Sequence, residues 1–345
     1  MNPTIAVALS GGIDSLTAAY LLKTQGYPLI GIHFTTGFEE DPSISNRVAR
    51  ISDQLDIPIT LVNHASEFAE TVVNYFTEAY KSGLTPNPCM ICNQRIKFGS
   101  IFKIAKTMGA SLLATGHYAR TVTDGKGNMH LLKGIDPEKD QSYFLSLLSR
   151  KQLESARFPL GGMTKKHVRE LAREKGLSPA THSESQDICF IGHKTYGEFL
   201  AAQPGFNARP GVIEDVNGRV LGQHEGLHLF TIGQRRGINC PAAEPYYVAR
   251  LDVAENKLVV GHKSDLLSPE CGVSSINWIQ DPPFSPISVF TRVRYRHQAA
   301  RSTLFPIDGA KAIVRFESPQ EAITPGQGAV FYQGEEVLGA GWIDP

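Results

Sequence analysis

The chain has 345 residues, and its 34 Lys and Arg balance 34 Asp and Glu to give a formal net charge of zero. This length predicts two or three domains, and the charge balance argues against a protein that coats nucleic acid without specificity. No apolar run approaches the ~18 residues of a membrane-spanning helix, and the first strand begins too early to leave room for a signal peptide. The odd number of cysteines, five, favours a reducing compartment over a disulfide scaffold. We therefore expect a cytoplasmic protein with no membrane partner.

The first motif is a strand, a glycine turn and a helix in succession. The apolar run Ile5–Leu9 predicts a buried strand, and Ser15–Gln25 has helical spacing. Between them lies Ser10-Gly11-Gly12-Ile13-Asp14-Ser15, where paired glycines and a helix N-terminus favour anion binding. The turn lacks the lysine of a G-x-x-x-x-G-K-[ST] loop and the third glycine of a dinucleotide fingerprint. A plain tight turn is the alternative interpretation.

Strand and helix patterns alternate from residue 4 to about residue 115. The predicted strands are Ile5–Leu9, Leu29–Phe34, Ile59–Val62 and Ser111–Ala114, and the predicted helices are Ser15–Gln25, Asn46–Leu55, Glu67–Lys81 and Phe98–Met108. This alternation predicts an α/β fold with a doubly wound parallel sheet. Ligands of such sheets bind beyond the carboxyl ends of the strands, where Ser10–Ser15, Phe34–Thr36 and Thr115–Tyr118 fall.

A further helix follows a predicted hairpin turn at Asp124-Gly125. Thr164 is a candidate N-cap, and Val168, Leu171 and Ala172 form an apolar stripe. We expect the outer face to carry Lys165, Lys166, His167, Arg169, Arg173 and Lys175. A solvated face and an RNA contact are both open interpretations of this pattern.

Short β segments replace the helices after Pro204-Gly205. Val212–Val216 and Arg219–Leu221 flank an Asn217-Gly218 turn, and a second break precedes β-rich sequence from residue 287 onward. We predict an N-terminal nucleotide-binding and catalytic domain (1–200), a small central β domain (205–265) and a C-terminal β-barrel-like domain (270–345).

Three cysteines form the second constellation. Cys89 and Cys92 are spaced C-x-x-C after two prolines, and Cys189 lies in the segment Glu184–Ile191. A lone C-x-x-C is compatible with half a zinc site, a redox pair or cluster ligands, but a structural zinc site lacks its second ligand pair. Nearby Arg95 and Lys97 are expected to lower a thiol pKa.

Eight motifs together resemble one family. They occur in the order SGGIDS, NPCMICNQRIKF, ATGHYAR, KDQSYFL, ESQDICFIG, TIGQRRG, VRYRHQ and TPGQ. This order is similar to that of the tRNA-specific 2-thiouridylases, PP-loop ATP pyrophosphatases with a HUP-like N-terminal domain. The resemblance implies ATP with Mg²⁺ as cofactors and adenylation of the uridine oxygen. It implies an ATP site at Ala8, Leu9, Ser10, Gly11, Gly12, Ile13, Asp14, Ser15, Phe34 and Gly116.

The same resemblance assigns the sulfur chemistry. It implies that Cys189 carries a persulfide whose sulfur displaces AMP from the wobble uridine. Cys92 would free that sulfur and leave a Cys92–Cys189 disulfide for later reduction. Many relatives have Asp where this chain has Cys89, so three thiols are expected at one site. A [4Fe–4S] cluster held by Cys89, Cys92 and Cys189 is the alternative, ranked below the persulfide route.

The resemblance also implies contacts with tRNA, because a wobble base lies in a single-stranded loop and can be extruded. The implied contacts are Asn87, Pro88, Cys89, His117, Lys139, Asp140, Gln141, Arg294, Tyr295 and Gln327. Alternation over Ile287–Arg296 predicts Arg292, Arg294 and Arg296 on one strand face, which indicates either phosphate binding or edge protection. The expected partners are lysine, glutamate and glutamine tRNAs and a sulfur donor such as a cysteine desulfurase or sulfur-carrier protein.

Two other classes of function stay open on the sequence. One is a small-molecule AMP-forming PP-loop synthetase, which has no need of the paired cysteine motifs. The other is a non-enzymatic RNA-binding or metal–sulfur carrier module, against which the intact SGGIDS loop argues.

Overall fold

The computed structural model describes residues 2–39, 43–180 and 188–345. Its strands are β1 (Ile5–Ala8), β2 (Leu29–Thr35), β3 (Ile59–Asn63), β4 (Leu112–Ala114), β5 (Ala119–Thr123), β6 (Met129–Lys133), β7 (Ala156–Arg157), β8 (Gly211–Asp215), β9 (Val220–His224), β10 (Tyr247–Asp252), β11 (Lys257–Gly261), β12 (Leu267–Trp278), β13 (Ile287–Arg292), β14 (Ala300–Pro306), β15 (Ala312–Glu321), β16 (Gly328–Gln333) and β17 (Glu336–Ile343).

The helices lie mainly in the N-terminal half. The α-helices are α1 (Ile13–Thr24), α2 (Ile44–Leu55), α3 (Ala65–Phe68), α4 (Asn74–Lys81), α5 (Pro88–Ile91), α6 (Phe102–Thr107), α7 (Ser142–Leu145), α8 (Arg150–Ser155), α9 (Lys165–Glu174) and α10 (Tyr196–Ala201). π-Helical segments Ala69–Val73 and Cys92–Ile101 join α3 to α4 and α5 to α6, and 3₁₀ turns cover Leu227–Leu229 and Lys263–Leu266. Among the described helices, none is long and apolar enough to cross a membrane.

The N-terminal sheet is parallel, with strand order β3-β2-β1-β4-β7. β1 is apolar on both faces because both faces are covered. Ile5 and Val7 pack with α1 and α2, while Ala6 faces the opposite core, which contains Phe68. The predicted doubly wound α/β sheet is therefore confirmed.

The point at which the strand order reverses lies between β1 and β4. β1 pairs with β2, the next strand in the sequence, on one side. On its other side it pairs with β4, which comes later in the chain. Crevices at such points are the usual ligand sites of open α/β sheets. The SGGIDS turn and the Thr115–Tyr118 segment both follow the carboxyl ends of these two strands.

The C-terminal part contains two further β units. A four-stranded sheet has the order β10-β11-β8-β9, and a six-stranded antiparallel barrel runs β12-β15-β14-β13-β16-β17, closed by pairing of β12 with β17. The predicted central β unit and C-terminal barrel are thus present. The β5–β6 hairpin of the N-terminal half adds to the barrel sheet through β17, so the two parts share hydrogen-bonded backbone.

Two predicted boundaries are wrong. The helix expected at Phe98–Met108 begins ten residues earlier, at Pro88, because Asn87 caps the segment and proline is favourable at the first helical position. The strand expected to reach Arg296 ends at Arg292, where the Arg292 guanidinium donates to the carbonyls of Tyr295 and His297 and holds a turn.

Candidate active site

The SGGIDS turn leaves backbone N–H groups open at the start of α1. Gly12 is the N-cap of α1 and has no side-chain hydrogen bond to the helix, so the first N–H groups have no capping side chain. The Ser15 hydroxyl donates to the Gly12 carbonyl at 2.9 Å, and Gly11 has a positive φ of 85°. This geometry suits an anion, because the helix N-terminus carries partial positive charge.

Gly116 makes close contact with this turn. A Cβ at Gly116 would lie 2.8 Å from the carbonyl carbon of Asp14 and from the amide nitrogen of Ser15. Any larger side chain would force the two segments apart. Phe34, on β2, is half-buried at the same rim. The predicted ATP residues therefore converge at the reversal point of the sheet.

Asp14 is held by two side chains from elsewhere in the chain. Its carboxylate accepts from Lys165 Nζ at 2.8 Å on each oxygen, and Oδ1 also accepts from the Tyr118 hydroxyl at 2.7 Å. The Lys165 side chain is 8% exposed and that of Asp14 is 33% exposed. A nearly buried ammonium thus fixes the one carboxylate of the anion-binding turn.

The position of Lys165 corrects the sequence analysis, which put this residue on the outer face of its helix. Lys165 shares the buried face of α9 with Val168 and Ala172, three and seven residues later. That spacing was visible in the sequence, but a charged residue beside an apolar stripe was interpreted as part of the solvated face. The remaining cations of the predicted face, from Lys166 to Lys175, are exposed.

Cys89 and Cys92 lie one turn apart at the start of the long helical segment that begins at Pro88. Asn87 Oδ1 accepts from Met90 N at 3.4 Å and caps the segment, and Cys92 begins the π-helical stretch. The three-residue spacing puts both thiols on the same side of the helix.

The π-helical stretch is supported from outside. Gln152 Nε2 donates to the carbonyls of Gln94 and Phe98 at 2.6 and 3.1 Å, while Gln94 Nε2 donates to the Leu147 carbonyl at 2.7 Å. π-Helical turns are rare and frequent at functional sites. Here the stretch carries Cys92 and Lys97 on one rigid element.

Cys189 is held in place through its neighbour Phe190. The Phe190 ring is 3% exposed and packs against Phe76 and Phe199 at centroid distances of 5.3 and 5.2 Å. Cys189 itself is exposed. The preceding Glu184–Asp187 part of the predicted motif lies outside the described residues.

The three thiols share one electrostatic environment. We call the region around Cys89, Cys92 and Cys189 the thiol recess; loss of hydration there raises the pKa of Cys89 to about 11 and that of Cys92 to about 12, while Cys89 and Cys189 keep exposed surface. It also raises the pKa of Cys189. The positive charge of the Lys97 ammonium lowers the pKa of all three thiols, against the effect of lost hydration. Lys97 is therefore the cation that favours thiolate formation in this recess.

His117 connects the thiol recess to the anion-binding turn. Its Nδ1 lies 2.7 Å from the Thr115 hydroxyl, and burial together with Lys97 holds its pKa well below the usual range. His117 is adjacent to Gly116, which contacts the SGGIDS turn. Since Lys97 influences His117 as well as the thiols, the two halves of the site are within electrostatic reach of each other.

The described residues show no preformed metal site. Within residues 2–39, 43–180 and 188–345, no group of three or more His, Cys, Asp or Glu side chains is arranged to hold a metal. Cys89, Cys92 and Cys189 are therefore not arranged as cluster ligands in the described part of the chain. Mg²⁺ commonly binds through one or two carboxylates and substrate phosphates, and Asp14, the carboxylate of the turn, has both oxygens bonded to Lys165 here.

Two residues expected at tRNA make hydrogen bonds within the protein. Asp140 is 4% exposed and accepts from Gly134 N, Ser142 N and Arg292 Nη1. The Gln141 side chain accepts from Tyr118 N at 3.0 Å. These contacts fix the KDQ segment, while Lys139 lines a cavity of about 780 Å³ shared with α9.

The predicted row of arginines on the barrel does not form, because β13 ends before Arg294 and Arg296. Arg296 is exposed, but Arg294 Nη2 donates to the Ile232 carbonyl at 2.6 Å and to Thr324 Oγ1. Tyr295 packs on Phe144 at 4.3 Å, and its ring lies under the Arg292 guanidinium. Contact of these residues with tRNA stays a prediction.

Comparison with known proteins gives full-length matches. Family models described as "tRNA methyl transferase HUP domain", "tRNA methyl transferase PRC-barrel domain" and "Aminomethyltransferase beta-barrel domain" match residues 3–193, 198–262 and 268–343. A protein of Desulfosudis oleivorans named tRNA-specific 2-thiouridylase MnmA is 50% identical, covering 99% of this chain and 95% of the relative. The chain belongs to the tRNA-specific 2-thiouridylase family.

Two further relatives of the same name match this chain at similar levels of identity. The Geobacter metallireducens protein of the same name is 43% identical over 99% of this chain and 96% of its own length. The Chlorobaculum tepidum protein is 44% identical over 98% of this chain and 94% of its own length. The family resemblance inferred from the eight motifs is therefore confirmed.

Proposed function

We propose that the protein is an ATP-dependent tRNA sulfurtransferase that converts a wobble uridine to 2-thiouridine. The observation that carries the proposal is that Lys97 acts electrostatically on Cys92, Cys189 and His117, and that Gly116, the neighbour of His117, contacts the anion-binding turn. An enzyme that activates a base with ATP and then delivers sulfur needs both functions in one cleft.

In the first step, the uridine O2 attacks the α-phosphorus of ATP and pyrophosphate leaves. The N–H groups at the start of α1 and the Ser10 and Ser15 hydroxyls would hold the phosphates. When bound, Mg²⁺ would neutralise phosphate charge beside Asp14. The step makes the C2 oxygen a good leaving group, because it departs later as part of AMP.

In the second step, the terminal sulfur of a Cys189 persulfide attacks C2, and AMP leaves with the former uridine oxygen. The base is then joined to Cys189 through a disulfide bond. The Cys92 thiolate attacks the Cys189 sulfur, releases 2-thiouridine and leaves a Cys92–Cys189 disulfide. Two electrons from an external thiol reductant restore the thiols before a sulfur donor, such as a cysteine desulfurase or sulfur-carrier protein, reloads Cys189.

The raised thiol pKa values bear on this order of events. With the pKa of Cys92 near 12, its thiol stays protonated at pH 7 in the free protein. A protonated Cys92 does not attack the Cys189 persulfide before the base arrives. Lys97 then supplies positive charge where thiolate must develop.

The base would enter beside Asn87, Pro88 and Cys89, a segment held at the mouth of the recess. His117, neutral at pH 7 because its pKa is so low, would offer a hydrogen bond rather than a charge to the nucleotide. We expect the acceptors to be the lysine, glutamate and glutamine tRNAs.

The test is thiolation of unmodified tRNA by the purified protein with ATP, Mg²⁺ and a persulfide donor, followed by nucleoside mass spectrometry. We expect 2-thiouridine at the wobble position and one AMP per modified base. Pyrophosphate release driven by a small metabolite in the absence of tRNA would contradict the proposal and favour an AMP-forming synthetase.

A further inference from the structure

A turn of the C-terminal barrel touches the segment that leads to Cys89. Gln327 Nε2 donates to the carbonyls of Thr85 and Pro86 at 2.9 and 3.1 Å. In return, Thr85 N donates to the Pro325 carbonyl at 2.9 Å. Three hydrogen bonds thus join the turn Thr324–Gln327, between β15 and β16, to the N-terminal half of the chain.

The approach of the two backbones is close. Gly326 has a φ of 86°, and a Cβ there would lie 2.8 Å from Leu84 Cβ and 3.1 Å from Thr85 N. Just beyond the turn, the Gly328 carbonyl accepts from the Tyr143 hydroxyl at 2.9 Å. The turn therefore fits against the Thr85 segment without room for a larger residue at Gly326.

The Thr85 segment depends on outside donors. Pro86 and Pro88 have no N–H groups, so this stretch cannot form a regular hydrogen-bonded ladder of its own. Carbonyl groups removed from water need partners, and Gln327 supplies them for Thr85 and Pro86. The conformation of the residues just before Cys89 is thus set from the barrel.

The turn is itself fixed on its far side. Thr324 is 1% exposed, and its hydroxyl donates to the Ala322 carbonyl at 2.8 Å and accepts from the Arg294 guanidinium. Arg294 also donates to the Ile232 carbonyl, in the segment between β9 and β10. The turn is therefore braced by contacts with two other parts of the molecule.

We propose that Gln327 is a positioning residue that sets the Thr85–Cys89 segment to receive the target base. This inference rests on the proposed function for the identity of the base. It gives Gln327 an action through Thr85 and Pro86, and the direct tRNA contact expected from the family resemblance stays a prediction.

The first test uses hydrogen exchange of the free protein and needs no assumption about the reaction. In Gln327→Met, which keeps a similar length but cannot donate, we expect exchange of a peptide spanning residues 82–92 to quicken by about tenfold, as expected for two lost hydrogen bonds. Gln320→Met is the matched control, because Gln320 lies in the same barrel and donates to the Ser318 carbonyl. Unchanged exchange in Gln327→Met would overturn the proposal.

The second test separates positioning from binding. At saturating tRNA, single-turnover thiolation by Gln327→Met should fall about tenfold while the Kd for tRNA changes less than about twofold. Gln327→Lys, whose ammonium can again donate to both carbonyls, should restore most of the rate. A weakened Kd with an unchanged saturated rate would show a direct tRNA contact instead. A wild-type protein that makes no 2-thiouridine would refute the proposed function and leave the exchange test standing.

Discussion

The anion-binding turn and the thiol recess are built in opposite ways. The turn is a local structure: strand β1, two glycines and the start of α1 form it within eleven residues, Ile5–Ser15. The recess takes Cys92 and Cys189 from positions 97 residues apart and depends on Phe190, Gln152 and a barrel turn to orient them. The backbone of the turn is thus set by neighbouring residues, while the recess depends on contacts from three regions.

Removing Cys92 should change activity most, and it should affect the recess without affecting the anion-binding turn. Without reductant, Cys92→Ser should lower release of 2-thiouridine by more than about a thousandfold, because the disulfide between the base and Cys189 is not resolved. AMP formation should continue for one turnover. Gel analysis should show a protein–tRNA adduct that a thiol reductant cleaves. Multiple turnovers without an adduct would exclude Cys92 as the resolving nucleophile.

The next effect concerns the turn. Lys165→Met removes the ammonium that holds Asp14, and we expect pyrophosphate release with tRNA to fall by about a hundredfold. Alkylation of the thiols should not change. Lys166→Met is the control, since Lys166 is 86% exposed on the same helix.

The same substitution should also cost stability. Because Asp14 is 33% exposed, we expect a loss of about 2 kcal/mol rather than the ~3–5 kcal/mol of a fully buried pair. Urea unfolding measures this loss and shows whether the variant is folded in the assay. Normal pyrophosphate release by a folded Lys165→Met protein would show that Lys165 is not needed for the adenylation step.

Replacing Lys97 should have a smaller effect, which is confined to the reactivity of the thiols in the recess. Lys97→Met should raise the pKa of the thiols and slow their alkylation at pH 8 by roughly tenfold, while pyrophosphate release is kept. In the wild type, alkylation of Cys92 should rise about tenfold per pH unit from pH 7 to 10, below its pKa near 12. Lys103→Met, exposed on α6 of the same helical segment, is the control. Equal alkylation rates in Lys97→Met and wild type would contradict the role of Lys97.

The smallest effect is expected for Cys89. It is exposed at the mouth of the recess and has no role in the persulfide steps. Cys89→Ser should therefore change the thiolation rate by less than about threefold. A loss of activity as complete as that of Cys92→Ser would show that all three thiols act together.

The sequence was most informative where structure is local. SGGIDS after an apolar strand predicted the turn, and Gly116 was expected at the same rim because parallel strands end together. The same reasoning placed Lys165 wrongly, because the periodicity of α9 was assigned from the apolar residues alone. Lys165 lies three and seven residues before Val168 and Ala172, and this helical spacing predicts that it shares their buried face.

Long-range contacts were beyond the sequence. Family position predicts tRNA contacts for Gln327 and Asp140, but it gives no sign that Gln327 donates to Thr85 and Pro86 or that Asp140 accepts from Arg292. Nothing in the spacing of these residues indicates a partner between about 150 and 240 positions away. Such contacts arise from the packing of domains against each other, which hydrophobic periodicity and secondary-structure propensity do not predict.

A single-turnover assay that counts AMP and 2-thiouridine together, with wild-type protein and with Cys189→Ser, tests whether Cys189 delivers the sulfur after adenylation of the base. We predict equal amounts of both products from the wild type. Cys189→Ser should give adenylated tRNA, detected by transfer of label from [α-³²P]ATP, and no 2-thiouridine. Formation of 2-thiouridine by Cys189→Ser at the wild-type rate, or without AMP in either protein, would contradict the account.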